Sequence, residues 1–129
     1  MNAAWHQENL KKFCKEKGIH VSAFSPLGAN GAAWGSLAVM DNPILKDIAI
    51  ASGKTVAQVA LRWLIEHGST PIVKSFNKER MKSNLEIFDW KLNEIDLEKI
   101  KQIPQYRAFK GERFILENGP YKTTEDLWD

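Results

Sequence analysis

The sequence predicts an α/β chain in which short parallel strands are joined by crossover helices. Amphipathic helical segments alternate with two β-rich runs, the order that lays helices across a parallel sheet. The second run, Pro71-Ile72-Val73, is wholly apolar, as suits a strand buried on both faces. Gly18, Gly53 and Gly68 each close a helical segment, where a left-handed residue ends a helix at least cost.

Leu10, Phe13 and Cys14 stand at i, i+3 and i+4, with Lys11, Lys12, Lys15 and Glu16 opposite, so the first helix has about three turns and one apolar stripe. Ile19 to Phe24 follows as the first strand and ends at Ser25-Pro26-Leu27-Gly28. Gly28 to Ser36 contains three glycines and almost no charge, which predicts a long loop of the functional or mobile kind. Asn42-Pro43 starts the second helix, with proline at the tolerated first position and Leu45, Ile48 and Ala49 inward. Thr55-Val56-Ala57-Gln58 is a capping box opening a third helix that buries Val59, Trp63 and Leu64. After the second strand, Asn77 caps a helix expected to turn Met81, Leu85 and Phe88 inward. Asn93, with Asp96, caps another that turns Leu97 and Ile100 inward. From Pro104 to residue 129 the periodicity stops, and Tyr106, Phe109, Phe114, Tyr121 and Trp128 are strung along an irregular tail expected to drape over a surface.

Composition narrows the function classes. A chain of 129 residues, 43% apolar, is long enough for one domain with a core. Eighteen Lys and Arg against sixteen Asp and Glu, spread evenly, give no basic patch for nucleic acid or a membrane surface. No run approaches the roughly 20 apolar residues of a membrane span, and Met1 to His6 lacks the pattern of a secretory signal. Cys14 is the single cysteine, so no intrachain disulfide forms; its place on the apolar stripe suits the core, and a cytoplasmic, reducing compartment is expected. His6, His20 and His67 lack ligand spacing, and no metal site is expected.

Two segments could carry chemistry. Lys74 and Ser75 end the second strand, and Asn77, Arg80 and Asn84 follow along one helix face. A lysine, a hydroxyl, helix N–H groups and an arginine fork suit a phosphate monoester, while the same residues also fit an ordinary surface helix start. Ser25-Pro26-Leu27-Gly28 ends the first strand, where small residues let a ligand approach the backbone, or simply make a turn. Both segments leave the C-terminal ends of successive parallel strands, the face on which (β/α) barrels bind ligands. Trp34 in the glycine-rich loop could line a substrate pocket or anchor the loop. Two strands alone leave both edges and both faces without partners, so the reading is internally incomplete.

These residues carry a resemblance. Val21 to Gly28, Thr55 to Trp63, and Val73-Lys74-Ser75 with Arg80, Asn84 and Phe88-Asp89 resemble the aldo-keto reductase superfamily, across essentially the whole chain. Gly119-Pro120-Tyr121-Lys122 and Leu127-Trp128-Asp129 are similar to its plant branch of chalcone (polyketide) and codeinone reductases. The resemblance implies a (β/α)8 TIM barrel that reduces aldehydes and ketones with NADPH. This chain would supply the barrel's C-terminal part: the last two strands, their helices and the tail.

By position the resemblance makes Phe24 the nicotinamide-stacking residue and puts Ser25, Leu27 and Gly28 along the pyrophosphate. It makes Lys74, Ser75, Phe76, Asn77 and Arg80 the grip on the 2′-phosphate and adenosine, and Asn84 an adenine contact. Ser83 stands where many members carry a glutamate touching the adenine, so one contact is in doubt. The loop around Trp34 corresponds to a variable substrate-shaping loop, and the tail from Pro104 to a second one. The family's catalytic Asp, Tyr, Lys and His come from the N-terminal half of the barrel and have no counterpart here; Tyr106 and Tyr121 both lie in the tail. Two function classes follow: a portion of an NADPH-dependent carbonyl reductase, inactive alone, or a non-catalytic relative that binds nucleotide weakly or associates through uncovered barrel edges.

Overall fold

The computed structural model describes residues 1–128; Asp129, the last residue of the tail match, lies outside the described residues. The element order is α1 (Glu8–Glu16), β1 (Val21–Phe24), α2 (Pro43–Ser52), α3 (Val56–Glu66), β2 (Ser69–Ile72), α4 (Lys78–Leu85), α5 (Glu94–Lys101), a 3-10 turn (Glu112–Phe114) and α6 (Thr124–Leu127). β1 and β2 pair in parallel, Val21 opposite Ser69 and Phe24 opposite Ile72. The chain thus contributes two neighbouring strands of a parallel sheet and the helices that cross between them.

The helix starts follow the local chemistry expected of them. Asn42 Oδ1 accepts from the Leu45 N–H, with Pro43 at the first helical position. Thr55 and Gln58 close both halves of their capping box, at 3.1 and 2.9 Å. Asn77 accepts from Arg80 N–H and Asn93 from Asp96 N–H, at 2.9 and 2.8 Å.

The core gathers on one side of the strand pair. Trp63, Leu45, Ile48, Leu64, Val59 and Ile100 are fully enclosed, with Ala23 of β1 beneath them. α3 is its centre: every residue from Gln58 to Leu64 is buried, so the helix is covered all round rather than along one stripe. Among those residues is a cation. Arg62 donates through Nε to Glu66 Oε1 at 2.6 Å and through Nη1 to the Ile87 carbonyl at 2.9 Å, while Glu66 Oε1 also accepts from Leu92 N–H at 3.0 Å. Gln58 Nε2 adds a bond to the Ser83 carbonyl.

Three expectations need correction. β2 begins two residues before the apolar run and ends at Ile72, because the left-handed turn at Gly68 (φ +75°) releases the chain straight into pairing with Val21. Met81, Leu85 and Phe88 are exposed, Phe88 at 67%, and α4 buries none of its residues. α3 holds this region through the Ser83 and Ile87 carbonyls, and the buried side chain is Ile87. On α1, Leu10 and Phe13 are exposed and only Cys14 is buried. Cys14 is thus enclosed, as its position on the stripe predicts, and α5 buries Ile100 with Leu97 packed against the core.

The tail crosses the N-terminal segment. Tyr106 N–H donates to the Ala4 carbonyl at 2.7 Å, and the Gln105 side chain accepts from His6 N–H at 2.7 Å. Farther on, Trp128 Nε1 donates to the Lys110 carbonyl, and Thr123 with Asp126 caps α6. No single helix among the described residues is long and apolar enough to cross a membrane.

The His6 and His67 rings both pack against Trp63, with ring centroids 4.7 and 4.2 Å from it and 6.4 Å from each other. Burial disfavours the imidazolium of both; it pushes His67 down to about 4, with the Lys11 charge adding to the effect, and lowers His6. The unfolded chain takes up these protons below about pH 6.5 and the folded chain does not. Stability is therefore complete above that pH and falls as the pH drops toward 4. We expect the urea midpoint of the chain to be lower at about pH 5 than at about pH 7.5, and the difference to shrink in His67→Gln. A midpoint that rises on acidification contradicts this assignment.

Candidate active site

Because Phe24 lies opposite Ile72, the segments leaving β1 and β2 emerge side by side at one end of the sheet. The first segment begins with Phe24, whose ring is 65% exposed. Ser25 follows with φ +52°, a left-handed conformation that costs a non-glycine residue energy and is kept where surrounding structure enforces it. Gly28 (φ +87°) donates to the Ser25 carbonyl at 3.0 Å and accepts from Ser36 N–H at 2.8 Å. A Cβ at Gly28 would lie 2.6 Å from the Ser36 carbonyl oxygen, and one at Gly35 would lie 1.9 Å from that of Ala29. The glycine-rich loop therefore closes on itself only with glycine at these points.

Trp34 sits at the mouth of this loop. Its Nε1 donates to Ser25 Oγ at 3.1 Å, and its ring lies 6.0 Å from that of Phe24. The two sequence alternatives for Trp34 merge here: it anchors the loop and walls a cavity. That cavity, about 440 Å³, is bounded by Phe24, Ser25, Gly28 and Trp34 on one side and by Trp5, Tyr106, Arg107, Phe109 and Trp128 on the other. The second group comes from the tail, which the resemblance makes a second substrate-shaping loop, and from Trp5 of the N-terminal segment, which sequence reading did not place there. The signal available in the tail was the aromatic spacing of a segment expected to drape. Leu27 is not at the cavity; it packs against the core.

The second segment is exposed. Lys74 Nζ lies over the Phe76 ring at 4.1 Å, and Phe76 is 90% exposed. Ser75 Oγ accepts from Asn77 N–H at 3.2 Å and Asn77 Oδ1 accepts from Arg80 N–H, so side chains tie the turn into α4. Neither Lys74 nor Arg80 forms an ion pair among the described residues. Asn84 is half-buried one turn beyond Arg80, and Ser83 gives its carbonyl to Gln58. The structure thus brings Phe24, Ser25, Gly28 and Trp34 together around the cavity. It places Lys74, Ser75, Phe76, Asn77, Arg80 and Asn84 on the turn and helix that leave the neighbouring strand.

The Aldo/keto reductase family model matches residues 1–105. The chain belongs to the aldo/keto reductase family. Over all 129 residues it is 60% identical to the (1S)-1,7-diacetoxy-luvungin A aldo-keto reductase of Citrus sinensis and 50% identical to the NADPH-dependent codeinone reductase 1-4 of Papaver somniferum. It covers 41% and 40% of those proteins, so it spans about two fifths of the length of the curated relatives it matches. A mutant Gox0644 solved in complex with NADPH superposes with a TM-score of 0.73 at 28% identity, over 84% of this chain and 38% of that one. The solved relatives are TIM-barrel enzymes, and this chain is a small α/β part of such a barrel with two of its parallel strands.

Proposed function

We propose that this chain forms the NADPH-gripping part of a carbonyl reductase that converts aldehydes or ketones to alcohols, and that it lacks the proton-transfer residues of the family. The observation that carries the proposal is the pair of exposed cations, Lys74 and Arg80, that lack an acidic partner among the described residues and flank the turn into α4. An ammonium and a guanidinium without a carboxylate partner beside a helix start form a donor set that fits a phosphate. Phe24 offers an exposed ring face at the neighbouring strand end for the nicotinamide, and the Ser25 to Gly28 backbone runs beside it for the pyrophosphate.

When bound, NADPH supplies the hydride. The residues of this chain hold and orient it: Lys74, Ser75, Asn77 and Arg80 at the 2′-phosphate, Phe76 and Asn84 at the adenosine. Protonation of the developing alkoxide requires a positioned acid, and no residue of this chain corresponds to the family's Tyr and Lys. The buried Cys14 suits a reducing, cytoplasmic setting.

Titration of the purified chain with NADPH and NADH, read by nicotinamide fluorescence, tests the grip. NADPH is expected to bind at least about 10-fold more tightly, the value of one charge-assisted contact. Equal affinities overturn the grip, and turnover of NADPH with an aldehyde overturns the lack of proton transfer. A second reading rests on the open edges of the two-stranded sheet and the exposed Ile72, Leu85 and Phe88, which favour association of the chain with itself. Gel filtration at several concentrations decides it: a concentration-independent monomer removes this reading.

A further inference from the structure

The wall of the cavity contributed by the tail carries two guanidinium groups, and both rest on aromatic faces rather than on carboxylates. Arg107 lies near two tryptophans, its guanidinium carbon 5.8 Å from the Trp5 ring centre and 5.9 Å from the Trp128 ring centre. Arg113 lies 5.2 Å from the Phe109 ring and 4.9 Å from the Phe114 ring. Both line the cavity, and neither forms an ion pair among the described residues. The acidic group that feels the charge of Arg107 is Glu125, which is fully exposed and accepts from the Thr124 hydroxyl at 2.9 Å.

The aromatic contacts steady the Arg107 guanidinium at the cavity wall, and no ion pair among the described residues takes up its N–H edge. That edge is matched by a planar, bidentate anion, and a carboxylate fits it better than a neutral group. The surrounding wall is largely aromatic, with Trp5, Phe24, Trp34, Phe109 and Trp128, and Asn2, Gln7, Ser25 and Ser36 add polar groups to it. Arg107 is half-buried and Arg113 exposed, so both remain open to an incoming anion.

We infer that Arg107, assisted by Arg113, is a specificity-determining residue that selects carbonyl substrates carrying a carboxylate on an apolar body. This rests on the reading of the cavity as the substrate side of a carbonyl reductase. The apolar part of the substrate occupies the aromatic wall, the carboxylate meets the Arg107 edge, and the Phe24 side remains for the carbonyl end. Arg107 selects and positions; it takes no part in hydride or proton transfer.

The test is calorimetric titration of the 129-residue chain with benzoylformate and with its methyl ester, which lacks the anionic charge and carries one extra methyl group. Benzoylformate is expected to bind about 10-fold more tightly than the ester, and Arg107→Gln to erase the difference without changing ester affinity. Arg107→Lys, which keeps the charge but loses the fork, is expected to recover only part of it. Equal binding of acid and ester, no binding of either, or a preference that survives Arg107→Gln overturns the inference. Each variant is checked by circular dichroism and by NADPH titration. NADPH binding without acid preference defeats this inference and spares the cofactor grip; acid preference without NADPH binding defeats the grip alone.

Discussion

Arg62→Ala is expected to lower the unfolding free energy of the chain by about 3–5 kcal/mol, the cost of breaking a buried ion pair from one side. Arg62 and Glu66 side chains are 8% and 15% exposed, so the carboxylate left behind cannot regain full hydration. Its remaining partner is the Leu92 N–H, and the Ile87 carbonyl loses its donor as well. Set against a total stability of about 5–15 kcal/mol for a native domain, the loss is a large fraction of the whole. Urea unfolding followed by circular dichroism measures it. Lys46→Ala, which breaks an exposed pair with Asp41, serves as the contrast and is expected to cost under about 1 kcal/mol. An Arg62→Ala cost as small as that of Lys46→Ala would mean the clamp does not hold α3 to the segment after α4. Replacing both partners, Arg62→Met with Glu66→Leu, removes the orphaned charge and is expected to recover part of the loss.

The same clamp shows why part of the fold was legible in sequence and part was not. Caps and stops are local: Thr55 with Gln58, Asn42 before Pro43, and Gly53 each satisfy backbone groups within a few residues, so pattern alone located them. Strand limits are not local. β2 starts at Ser69 because it pairs with Val21, which lies 48 residues earlier and which no feature of the sequence near Ser69 announces. Periodicity likewise reports what a helix is able to bury, not whether the covering partner belongs to the same stretch of chain. Met81, Leu85 and Phe88 have helical spacing, yet nothing among the described residues encloses them, in a chain spanning about two fifths of its relatives. For the candidate site, strand-to-helix punctuation singled out Phe24 to Gly28 and Lys74 to Arg80, which leave neighbouring strand ends. The wall of Trp5, Arg107, Phe109 and Trp128 needed the tail to return over the N-terminal segment, which it does through Tyr106 N–H and the Ala4 carbonyl.

The proposed grip makes the second large prediction. Changing Lys74→Met and Arg80→Gln together is expected to weaken NADPH binding about 100-fold while leaving NADH within about threefold. Each cation offers a charge-assisted contact, and at an exposed turn its value falls near the low end, about 1.5 kcal/mol or roughly tenfold. The 100-fold figure takes the two contacts as independent; Lys74 lies in the segment after β2 and Arg80 in the first turn of α4, and coupling through the shared phosphate shifts the double loss away from the product of the single ones. Asn77 still caps the helix in the double variant, since the bond to Arg80 uses the backbone N–H and not the guanidinium. The fold of the turn is therefore preserved, and a change in affinity reports the phosphate contact. Salt supplies an independent readout: raising it weakens NADPH binding more than NADH binding in the unmodified chain, and the two dependences converge in the variant. Equal losses for both nucleotides would assign Lys74 and Arg80 to shaping the turn instead of reading the phosphate.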